Sequence, residues 1–561
     1  MIGLAPRRLA LAGLLTALAW LDPFAAGPSP GVQPWLTSAA CAVVAWLLSV
    51  AAGASTRLRL AWMVLAVAIW AVLSGGWRPE VAFLAAGLAV TWVSTQFVAD
   101  DAVAAGVQAG LLAAAVTSAV LGLLQYFGLS DAFSPWISRT AAGEAFANLR
   151  QPNQYATLSW IGAAVLLWGT PRLRPVLATA LIVLLAVGSA ASVSRTGMLQ
   201  GVMLTVLAAW WNGPGRRTRL LQCAAAALAY FAAASLLPVL LETLTGASPA
   251  RTLWGRIGGP EGCTSRLVLW SNVLHLIAQK PLTGWGWGEL DYAHFVTLYD
   301  GPRFCDILDN AHNLPLHLAV ELGVPAALLI CGGAAVWILR QRPWRETSSR
   351  RQLAWAIVAL ILLHSMLEYP LWYGPFQLAF GAALGWLATR SDGVPSPANH
   401  LPAPATRKPA LALALALLAA TAYAAWDYTR VSQIYLPPEE RLAPWREDTL
   451  AKVRKSWLFA GQARFADLTL SEVNAGNAAR MYPLALEVLH YSPEPRVIER
   501  AIESATLLGR REEAVQLLAR YRAAFPAEYR AWRARGRGIA RAEDQTSRLP
   551  RTLENASTSS S

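Results

Sequence analysis

Long runs of apolar residues, separated by short polar connectors, make up most of the chain. A helix of about 20 residues crosses the roughly 30 Å hydrocarbon core of a bilayer, and the runs are close to that length. The pattern predicts about thirteen membrane-spanning helices, at residues 8–26, 35–53, 58–75, 80–98, 104–126, 154–170, 174–192, 197–212, 219–240, 312–339, 352–368, 372–388 and 409–427. The predicted fold class is therefore all-α, a polytopic transmembrane helix bundle.

Two longer polar stretches divide this pattern into four parts. An N-terminal transmembrane region at 1–240 is followed by a large loop at 241–311. A second transmembrane region at 312–427 leads into a soluble tail at 428–561, which is predicted to be helical. The loop and the tail are the two places where the chain leaves the bilayer for long enough to form structure of its own.

The tail contains one clear pattern of two helices. Ser492-Pro493-Glu494-Pro495 precedes a helical pattern at 496–508, Gly509 interrupts it, and a second helix through 511–518 ends before Pro526. The pattern resembles one helix-turn-helix unit of the tetratricopeptide kind. A generic helical hairpin fits it equally well, because no second copy occurs at a fixed period. Either could bind a partner.

Composition agrees with a membrane protein. The 561 residues are 55% hydrophobic and 14% charged, and the mean hydropathy is +0.38, which is typical of a polytopic membrane protein rather than a soluble enzyme. A net charge of +13 would suit a nucleic-acid-binding protein. However, the basic residues sit in connectors and in the tail, without the interleaved aromatic residues or zinc-ligand spacing of such proteins. Membrane topology explains the charge better.

The basic connectors predict the orientation of the chain. A cytoplasmic N-terminus puts the connectors at 56–59, 172–174, 216–219 and 340–351 inside, as the positive-inside rule requires. The first apolar run has no clear small-residue cleavage site and is interpreted as an uncleaved span. An odd number of spans then sends the tail to the outer face. The polar connectors at 127–153, 192–197, 241–311 and 368–373 also fall on that face.

A polar cluster at 309–317 stands where the large loop meets the next apolar run. Imidazole and amide groups at the edge of a bilayer are costly, so they indicate a functional site. An imidazole titrates near neutral pH, which makes His312 a candidate base. Arg195 and Arg266 lie in other connectors of the same face, and a guanidinium fork suits a diphosphate. Amide side chains predicted on the same face are candidates for substrate contacts, namely Gln151, Asn153, Asn310 and Asn313.

The chemistry predicted for this face needs no metal. Asp306 and Asp309 are close to His312 in sequence, but they do not form a convincing ligand set for a divalent ion. A diphosphate substrate would therefore be held by arginine, and the protein is expected to need no cofactor. Because a diphosphate is already a good leaving group, the site needs charge stabilisation and a base for an attacking hydroxyl.

The five cysteines fall into two groups. Cys41, Cys223 and Cys331 lie in apolar runs and are interpreted as packing residues. Cys263 and Cys305 share the large outer loop, where an oxidising compartment would allow them to form a disulfide beside His312.

Taken singly, each candidate also has a structural interpretation. His312 could cap the following helix, Arg195 could extend to the membrane surface, and Arg266 could be a surface charge. Gln151 could only end a loop, and Tyr369 fits an aromatic belt. Three further features are interpreted as structural from the start, namely His317, His364 and the tight turn at Gly284, Gly286 and Gly288.

Several motifs together resemble a known family. They are Gln151-Pro152-Asn153-Gln154, Ser194-Arg195-Thr196, Pro281 through Gly288, Asn310-Ala311-His312-Asn313 through Glu321-Leu322-Gly323, and His364 through Tyr373. In this order they resemble the bacterial O-oligosaccharyltransferases of the PglL or PilO type, the protein-glycosylating relatives of O-antigen ligase. The soluble extension after the last span resembles that branch too.

The resemblance implies transfer of a preassembled glycan from undecaprenyl diphosphate to a Ser or Thr hydroxyl of a protein such as pilin. It implies a multi-pass protein of the bacterial inner membrane with its active site facing the periplasm. His312 matches the family's essential histidine, and Arg195 and Arg266 match the arginines that hold the diphosphate. Gln151 and Tyr369 match further positions linked to activity, as a sugar or phosphate partner and as a positioning group near the acceptor.

Three other functions stay open at this point. An O-antigen ligase would use the same donor and a lipid A-core sugar as acceptor, and a repeat-unit polymerase would extend a glycan. A non-enzymatic transporter of lipid-linked glycans would instead place charged residues along a path through the spans. The gathering of polar residues on one face favours an enzyme over a transporter.

Overall fold

The computed structural model describes residues 4–25, 31–52, 59–76, 78–97, 100–170, 173–257, 262–388 and 403–535. Within these ranges every regular element is a helix. The basic connectors predicted at 56–59 and 172–174 lie partly outside the described residues. The last residues of the tail, 536–561, lie wholly outside them.

The N-terminal region is a series of apolar helices. They are α1 (Leu4–Leu21), α2 (Val32–Ala51), α3 (Arg59–Gly75), α4 (Pro79–Ser94), α5 (Asp101–Tyr126), α6 (Pro152–Trp168), α7 (Pro175–Ala191), α8 (Arg195–Trp210) and α9 (Arg216–Thr245). Proline opens α4, α6 and α7, where the missing backbone N–H donor would have no helical partner. α9 runs five residues past the boundary predicted at 240.

In the part of the chain that the structure describes, the large loop holds three helices, and five helices follow it in the second apolar region. The loop holds α10 (Leu253–Ile257), α11 (Arg266–Gln279) and α12 (Leu290–Val296). The second apolar region holds α13 (Leu314–Leu322), α14 (Val324–Gln341), α15 (Ser349–Ser365), α16 (Gly374–Leu387) and α17 (Ala403–Ser432). The tail holds α18 (Thr449–Val453), α19 (Ala460–Leu470), α20 (Ala478–Leu489), α21 (Pro495–Leu507), α22 (Arg511–Ala524) and α23 (Pro526–Ala534).

The described helices include several that can cross a membrane. Five are long and apolar enough by length and composition, namely Val32–Ala51, Asp101–Tyr126, Arg216–Thr245, Val324–Arg345 and Arg407–Tyr435. Shorter apolar helices accompany them. The regular structure of the described residues is therefore all helical, with several candidate membrane helices, and the number thirteen stays a prediction.

The single span predicted at 312–339 is wrong, because the structure divides it into α13 and α14 at Gly323. Gly323 has a φ of +89°, which favours glycine. A Cβ atom there would also lie 2.2 Å from the carbonyl oxygen of Leu282, so no other residue fits. Apolar periodicity continues through this break and could not reveal it. The consequence is that α13 is a separate short helix directly behind His312.

Small residues allow the apolar helices to pack closely. A Cβ atom at Gly106 of α5 would lie 2.4 Å from the carbonyl oxygen of Leu9 in α1, and one at Gly110 would lie 2.4 Å from that of Gly13. The two backbones are thus in near contact. Close packing of this kind holds helices together where lipid provides no hydrophobic driving force.

The tail packs against the large loop. Phe295 of α12 is buried in the hydrophobic cluster formed by α19 to α23. Tyr292 stacks on His490 with ring centroids 3.6 Å apart, and the Arg520 Nε donates to the Val296 carbonyl at 3.1 Å. The helices predicted at 496–508 and 511–518 are found as α21 and α22, and their assignment to the tetratricopeptide kind stays a prediction.

Candidate functional site

Four helices begin around the carboxylate of Glu368, which follows the end of α15. Each start is capped by a side-chain oxygen that accepts a hydrogen bond from a backbone N–H. Such a cap satisfies one of the N–H donors of the first turn, which have no partner within the helix. The caps are Gln151 for α6, Ser194 for α8, Ser265 for α11 and Asn313 for α13. The partial positive charge of a helix N-terminus favours anions, so these starts make the site electropositive.

Glu368 joins residues from three of these helix starts. Nδ1 of His312 donates to its Oε2 at 2.6 Å, and the guanidinium of Arg266 donates to its Oε1. The amide of Asn153 also donates to Oε1, at 3.4 Å. Asn153 in turn accepts a hydrogen bond from the hydroxyl of Ser194 at 2.6 Å. One carboxylate therefore links the starts of α6, α11 and α13, and through Asn153 that of α8.

The charge state of Glu368 follows from these contacts. Burial acts to raise its pKa, but the hydrogen bond from His312, together with the charge of Arg266, outweighs burial and holds the pKa below its ordinary value. Glu368 is thus an ionised acceptor. Because Nδ1 of His312 is the donor to it, Nε2 is the nitrogen that can take a proton from a substrate.

The backbone holds His312 in an unusual conformation. Its φ is +50°, in the left-handed region that is sparsely populated by residues other than glycine. Asn310, which is buried, accepts the His312 backbone N–H at 2.8 Å, and Asn313 donates to the Met366 carbonyl at 3.1 Å. Strained conformations of this kind concentrate at functional sites. Asn310 and Asn313 thus position His312.

Aromatic side chains line one side of the site. The ring of Tyr369 meets the His312 imidazole edge-on, with centroids 5.1 Å apart, and stacks against Tyr373 at 5.9 Å. Burial raises the pKa of Tyr369, so its hydroxyl stays neutral and can donate a hydrogen bond. The predicted positioning residue is therefore in contact with the candidate base.

Arg195 and Gln151 lie at the starts of α8 and α6, close in sequence to Ser194 and Asn153. Arg195 is the first residue of α8, exposed, and directly follows the Ser194 that bonds Asn153. Val193 before them has a φ of +54°, which is rare for a β-branched residue. Gln151 uses its side-chain oxygen to cap α6, accepting the backbone N–H of Gln154 at 2.7 Å. The structure therefore brings His312, Arg266 and Asn153 to one carboxylate, and it places Gln151 and Arg195 at the starts of α6 and α8.

Sequence reasoning missed Glu368 and Ser194 as site residues. Glu368 lies within the motif from His364 through Tyr373, far in sequence from Asp306 and Asp309, the acidic residues beside His312. The available signal is a lone carboxylate at the end of an apolar run. It lies on the same predicted face as two arginines and a histidine. Its 56-residue separation from His312 concealed the contact.

Two other histidines have structural roles, as predicted. His317 is buried between Trp287 and Trp372, and its Nε2 lies 3.3 Å from Glu321. His364 is buried in α15, where its Nδ1 pairs with the Thr157 hydroxyl at 2.9 Å. The His364 carbonyl accepts the backbone N–H of Glu368 at 2.8 Å, so this histidine supports the site through the backbone.

Glycines 284, 286 and 288 form the predicted tight turn. All three have positive φ values, of +72°, +109° and +78°. A Cβ atom at Gly284 would lie 2.4 Å from the Glu321 carbonyl, so the turn packs directly on α13. The turn thereby supports the helix whose start carries His312.

A disulfide joins Cys263 to Cys305, with the two Cα atoms 5.5 Å apart. Cys263 lies three residues before Arg266 and Cys305 seven before His312. The bond ties together the two ends of the loop segment that brings these side chains to Glu368. Cys41, Cys223 and Cys331 are free thiols.

Potential metal ligands are dispersed in this structure. Among the described residues, no three histidine, cysteine, aspartate or glutamate side chains come together in a group that could hold a metal ion. Independence from metals stays a prediction that a chelator can test.

Two family models match the chain. One, described as O-Antigen ligase, matches residues 180–331, and the other, described as Virulence factor membrane-bound polymerase, C-terminal, matches 352–538. Together they span more than half of the chain and include Arg195, Arg266, His312 and Glu368. The chain belongs to the O-antigen ligase superfamily. It is thus a multi-pass membrane protein of that superfamily.

Curated relatives extend the comparison. The chain is 25% identical over 290 residues to a general O-oligosaccharyltransferase from Acinetobacter baylyi, covering 50% of each protein. It is 22% identical over 251 residues to a ComP-specific O-oligosaccharyltransferase from the same organism, covering 44% of this chain and 45% of that protein. The chain thus aligns with about half the length of the curated relatives it matches.

Proposed function

We propose that this member of the O-antigen ligase superfamily is an O-oligosaccharyltransferase. It transfers a preassembled glycan from undecaprenyl diphosphate to a Ser or Thr hydroxyl of an acceptor protein such as pilin. The observation that carries the proposal is the His312–Glu368 pair, flanked by Arg266 and by the start of α8 with Arg195. The names of the two relatives from Acinetobacter baylyi support the same activity.

His312 is the base in this proposal. Its Nε2 accepts the proton of the acceptor hydroxyl while the oxygen attacks the anomeric carbon of the first sugar. The bond from that carbon to the diphosphate oxygen breaks, and the electron pair leaves with undecaprenyl diphosphate. Glu368 fixes the imidazole through Nδ1 and stabilises its protonated form, the part that a carboxylate plays behind a catalytic histidine.

The arginines stabilise the leaving diphosphate. Arg266 donates to Glu368, and its guanidinium can turn an edge to a phosphate oxygen when the donor binds. Arg195 adds a second fork, and the helix starts add backbone donors and positive partial charge. Charge that develops on the diphosphate is therefore met by groups already in place. Asn153 and Gln151 are proposed to hydrogen-bond the sugar or a phosphate.

The site is proposed to face the periplasm from the inner membrane. The Cys263–Cys305 disulfide lies in the same loop as Arg266, and such bonds persist in oxidising compartments. The basic connectors on the opposite side, such as 340–351, support a cytoplasmic location for that face. Both observations favour the same orientation.

The acceptor is tested directly by transfer with purified protein. The protein is incubated with a glycan-bearing undecaprenyl diphosphate and, separately, with pilin, lipid A-core or a second glycan carrier, and the products are identified by mass spectrometry. Glycan on a pilin Ser or Thr supports the proposal. Glycan only on lipid A-core would make the protein a ligase, and glycan only on the second carrier would make it a polymerase, the activity that the matched C-terminal model names.

A chelator tests the predicted independence from metals. Transfer in the presence of excess chelator is expected to equal transfer in its absence, because arginines and helix starts hold the diphosphate. Loss of transfer that is restored by a divalent cation would contradict this part of the proposal.

A further inference from the structure

The tail meets the C-terminal part of α17 in a group of exposed aromatic side chains. The indole of Trp457, in the connector after α18, stacks on the ring of Tyr423 with centroids 6.4 Å apart. Tyr423 also contacts Trp426, about one turn further along α17, at 5.7 Å. Trp457 is 53% exposed and Trp426 is 48% exposed, although both side chains are large and mostly apolar. These three side chains are referred to below as the aromatic cluster.

Hydrogen bonds to a buried carboxylate fix the position of Trp457. Asp427 of α17 is fully buried, and it accepts from the hydroxyl of Ser456 at 2.7 Å and from Nε of Arg430 at 2.6 Å. Removal of a partner from a buried carboxylate is costly, so the contact with Ser456 is a strong constraint. Because Ser456 directly precedes Trp457, the indole is held against α17 rather than carried on a free loop.

The aromatic cluster lies where a membrane span ends. The span predicted at 409–427 contains both Tyr423 and Trp426, and the helical segment Arg407–Tyr435 is long and apolar enough to cross a bilayer. Tryptophan and tyrosine are enriched at this depth, where the ring meets the acyl chains and its N–H or O–H group meets the headgroups. Trp457 therefore lies at the level of the bilayer surface, although it belongs to the tail.

Contacts with two other apolar helices place the base of the tail at the same level. Phe459, two residues after Trp457, packs on Phe83 near the start of α4 with ring centroids 5.7 Å apart. The same hydrophobic cluster includes Val32, the first residue of α2. α2 and α4 both begin on the predicted outer face, so three apolar helices meet the base of the tail at that surface.

Basic side chains accompany Trp457. In the segment 449–457 every charged residue is basic and exposed, namely Lys452, Arg454 and Lys455. Arg454 pairs with Asp467, and Nζ of Lys452 donates only to a backbone carbonyl, that of Pro444, at 3.0 Å. Among the described residues, neither lysine has a carboxylate partner. Positive charge at this end of the tail is therefore left for a ligand outside the chain.

We propose that the aromatic cluster, together with Lys452 and Lys455, binds acidic phospholipids of the outer leaflet and anchors the base of the tail to the membrane. A phospholipid surface offers apolar chains to the rings and, directly above them, phosphate groups to the ammonium groups. Lysine suits such headgroups because its ammonium group is compact and stays hydrated. Apolar insertion and charge attraction act together, as they do in proteins that lie on a membrane surface.

Anchoring of the base also limits the motion of the rest of the tail. α19 begins at Ala460, three residues after Trp457. The hydrophobic cluster of α19 to α23 encloses Phe295 of the large loop. Acidic lipid is therefore expected to stabilise the contact of the tail with the loop.

Quenching by lipid measures the depth of Trp457. Full-length protein and Trp457→Phe are placed in vesicles of phosphatidylcholine and phosphatidylglycerol, with or without acyl chains brominated close to the headgroup. The difference in emission between the two proteins is the emission of Trp457. We expect the brominated lipid to lower that difference at least about twofold. Trp532→Phe, at a buried tryptophan of α23, is the matched control, and its difference should not change.

A double substitution tests the two lysines. Hydrogen exchange of residues 449–459 is measured in phosphatidylcholine vesicles with and without phosphatidylglycerol. We expect phosphatidylglycerol to slow this exchange at least about threefold in the unmodified protein, and Lys452→Gln with Lys455→Gln to abolish the difference. Arg522→Gln with Arg530→Gln removes two exposed cations of α22 and α23 and should keep it.

Two results would overturn the proposal. Quenching of Trp457 no greater than that of Trp532 would mean that the aromatic cluster faces water or a protein partner. Equal exchange with and without phosphatidylglycerol in the unmodified protein would mean that acidic lipid does not bind there, and this result does not depend on the folding of a variant. Neither measurement uses glycan transfer, so the proposed function is tested separately.

Discussion

At the level of single residues, Glu368 determines how His312 can act. The carboxylate accepts from Nδ1 of the imidazole, and its low pKa keeps it ionised at neutral pH. Arg266 and Asn153 share the other carboxylate oxygen, so Glu368 cannot rotate without breaking contacts to both. The direction of Nε2 is thereby fixed before any substrate binds, which is how enzymes avoid reorganisation during reaction.

Glu368→Gln should lower kcat for glycan transfer about a hundredfold or more, within the range for a group that supports general base catalysis. Gln keeps the size of the side chain and loses its charge, so it no longer stabilises the imidazolium. Transfer kinetics in vesicles measure the effect. Glu346→Gln removes another buried carboxylate paired with an arginine and is the control for general destabilisation. A kcat for Glu368→Gln equal to that of the control would contradict the positioning role.

Arg195→Lys should slow transfer by about tenfold or more while leaving the protein folded. Lysine keeps the positive charge, but it cannot form the bidentate contact of a guanidinium with a phosphate. Steady-state kinetics with the lipid-linked donor measure the loss. Arg251→Lys changes an exposed arginine of the large loop and serves as the control. An unchanged rate for Arg195→Lys would remove that residue from the diphosphate site.

At the level of helices and loops, the sequence predicts the helices that have strong apolar periodicity. It does not reveal features that depend on contacts between distant parts of the chain. A helix was found at each apolar run, and α21 and α22 follow their predicted patterns closely. The break at Gly323 was missed because it depends on the approach of Leu282 from the loop. Glu368 was missed for the same reason, since its partners come from distant helix starts that only folding brings together.

The large loop depends on a neutral histidine. Nε2 of His294 donates to the Phe304 carbonyl at 3.1 Å, so Nδ1 accepts from the Tyr299 hydroxyl at 2.8 Å. Burial, aided by the Arg303 charge, lowers the pKa of His294 to about 3. The unfolded histidine takes up a proton below about pH 6.5, whereas the folded one does not until about pH 3. The contribution of His294 to stability is therefore complete above pH 6.5 and declines between pH 6.5 and 3.

Acidification from pH 7 to 5 should lower the free energy of local unfolding of this loop by about 2 kcal/mol through His294. Hydrogen exchange of residues 290–304, corrected for the intrinsic effect of pH, measures it. His294→Gln should remove that share of the pH dependence. Because Asp291 and His490 also lie in or against α12, the difference between the two proteins is the quantity to compare. Identical pH dependence in both would contradict the prediction.

At the level of the whole molecule, the large loop joins the apolar helices to the tail. Arg266 and His312 bring it to the end of α15, and Phe295 places its other side in the hydrophobic cluster of the tail. His490 of the tail contacts Glu289, which precedes α12. The tail is therefore in a position to influence the site through the loop.

Replacement of both Cys263 and Cys305 by serine should destabilise the loop by about 2–4 kcal/mol, the typical effect of a disulfide that closes a loop of this length. The prediction concerns α11 and α12, whose hydrogen exchange should speed up, and the rate of transfer should fall with the loss of order around Arg266. Cys331→Ser, at a free thiol of α14, is the control. Unchanged exchange in α11 would show that packing alone holds the loop.

Whether His312 is the base is measured by the rate of glycan transfer by His312→Ala in lipid vesicles. His275→Ala, which changes an exposed histidine of α11 in the same loop, is the control. With equal amounts of protein inserted, we expect His312→Ala to lower kcat by about a thousandfold, within the range for loss of a general base, and His275→Ala to be close to the unmodified protein. A His312→Ala protein that transfers glycan at a rate near that of the control would exclude His312 as the base.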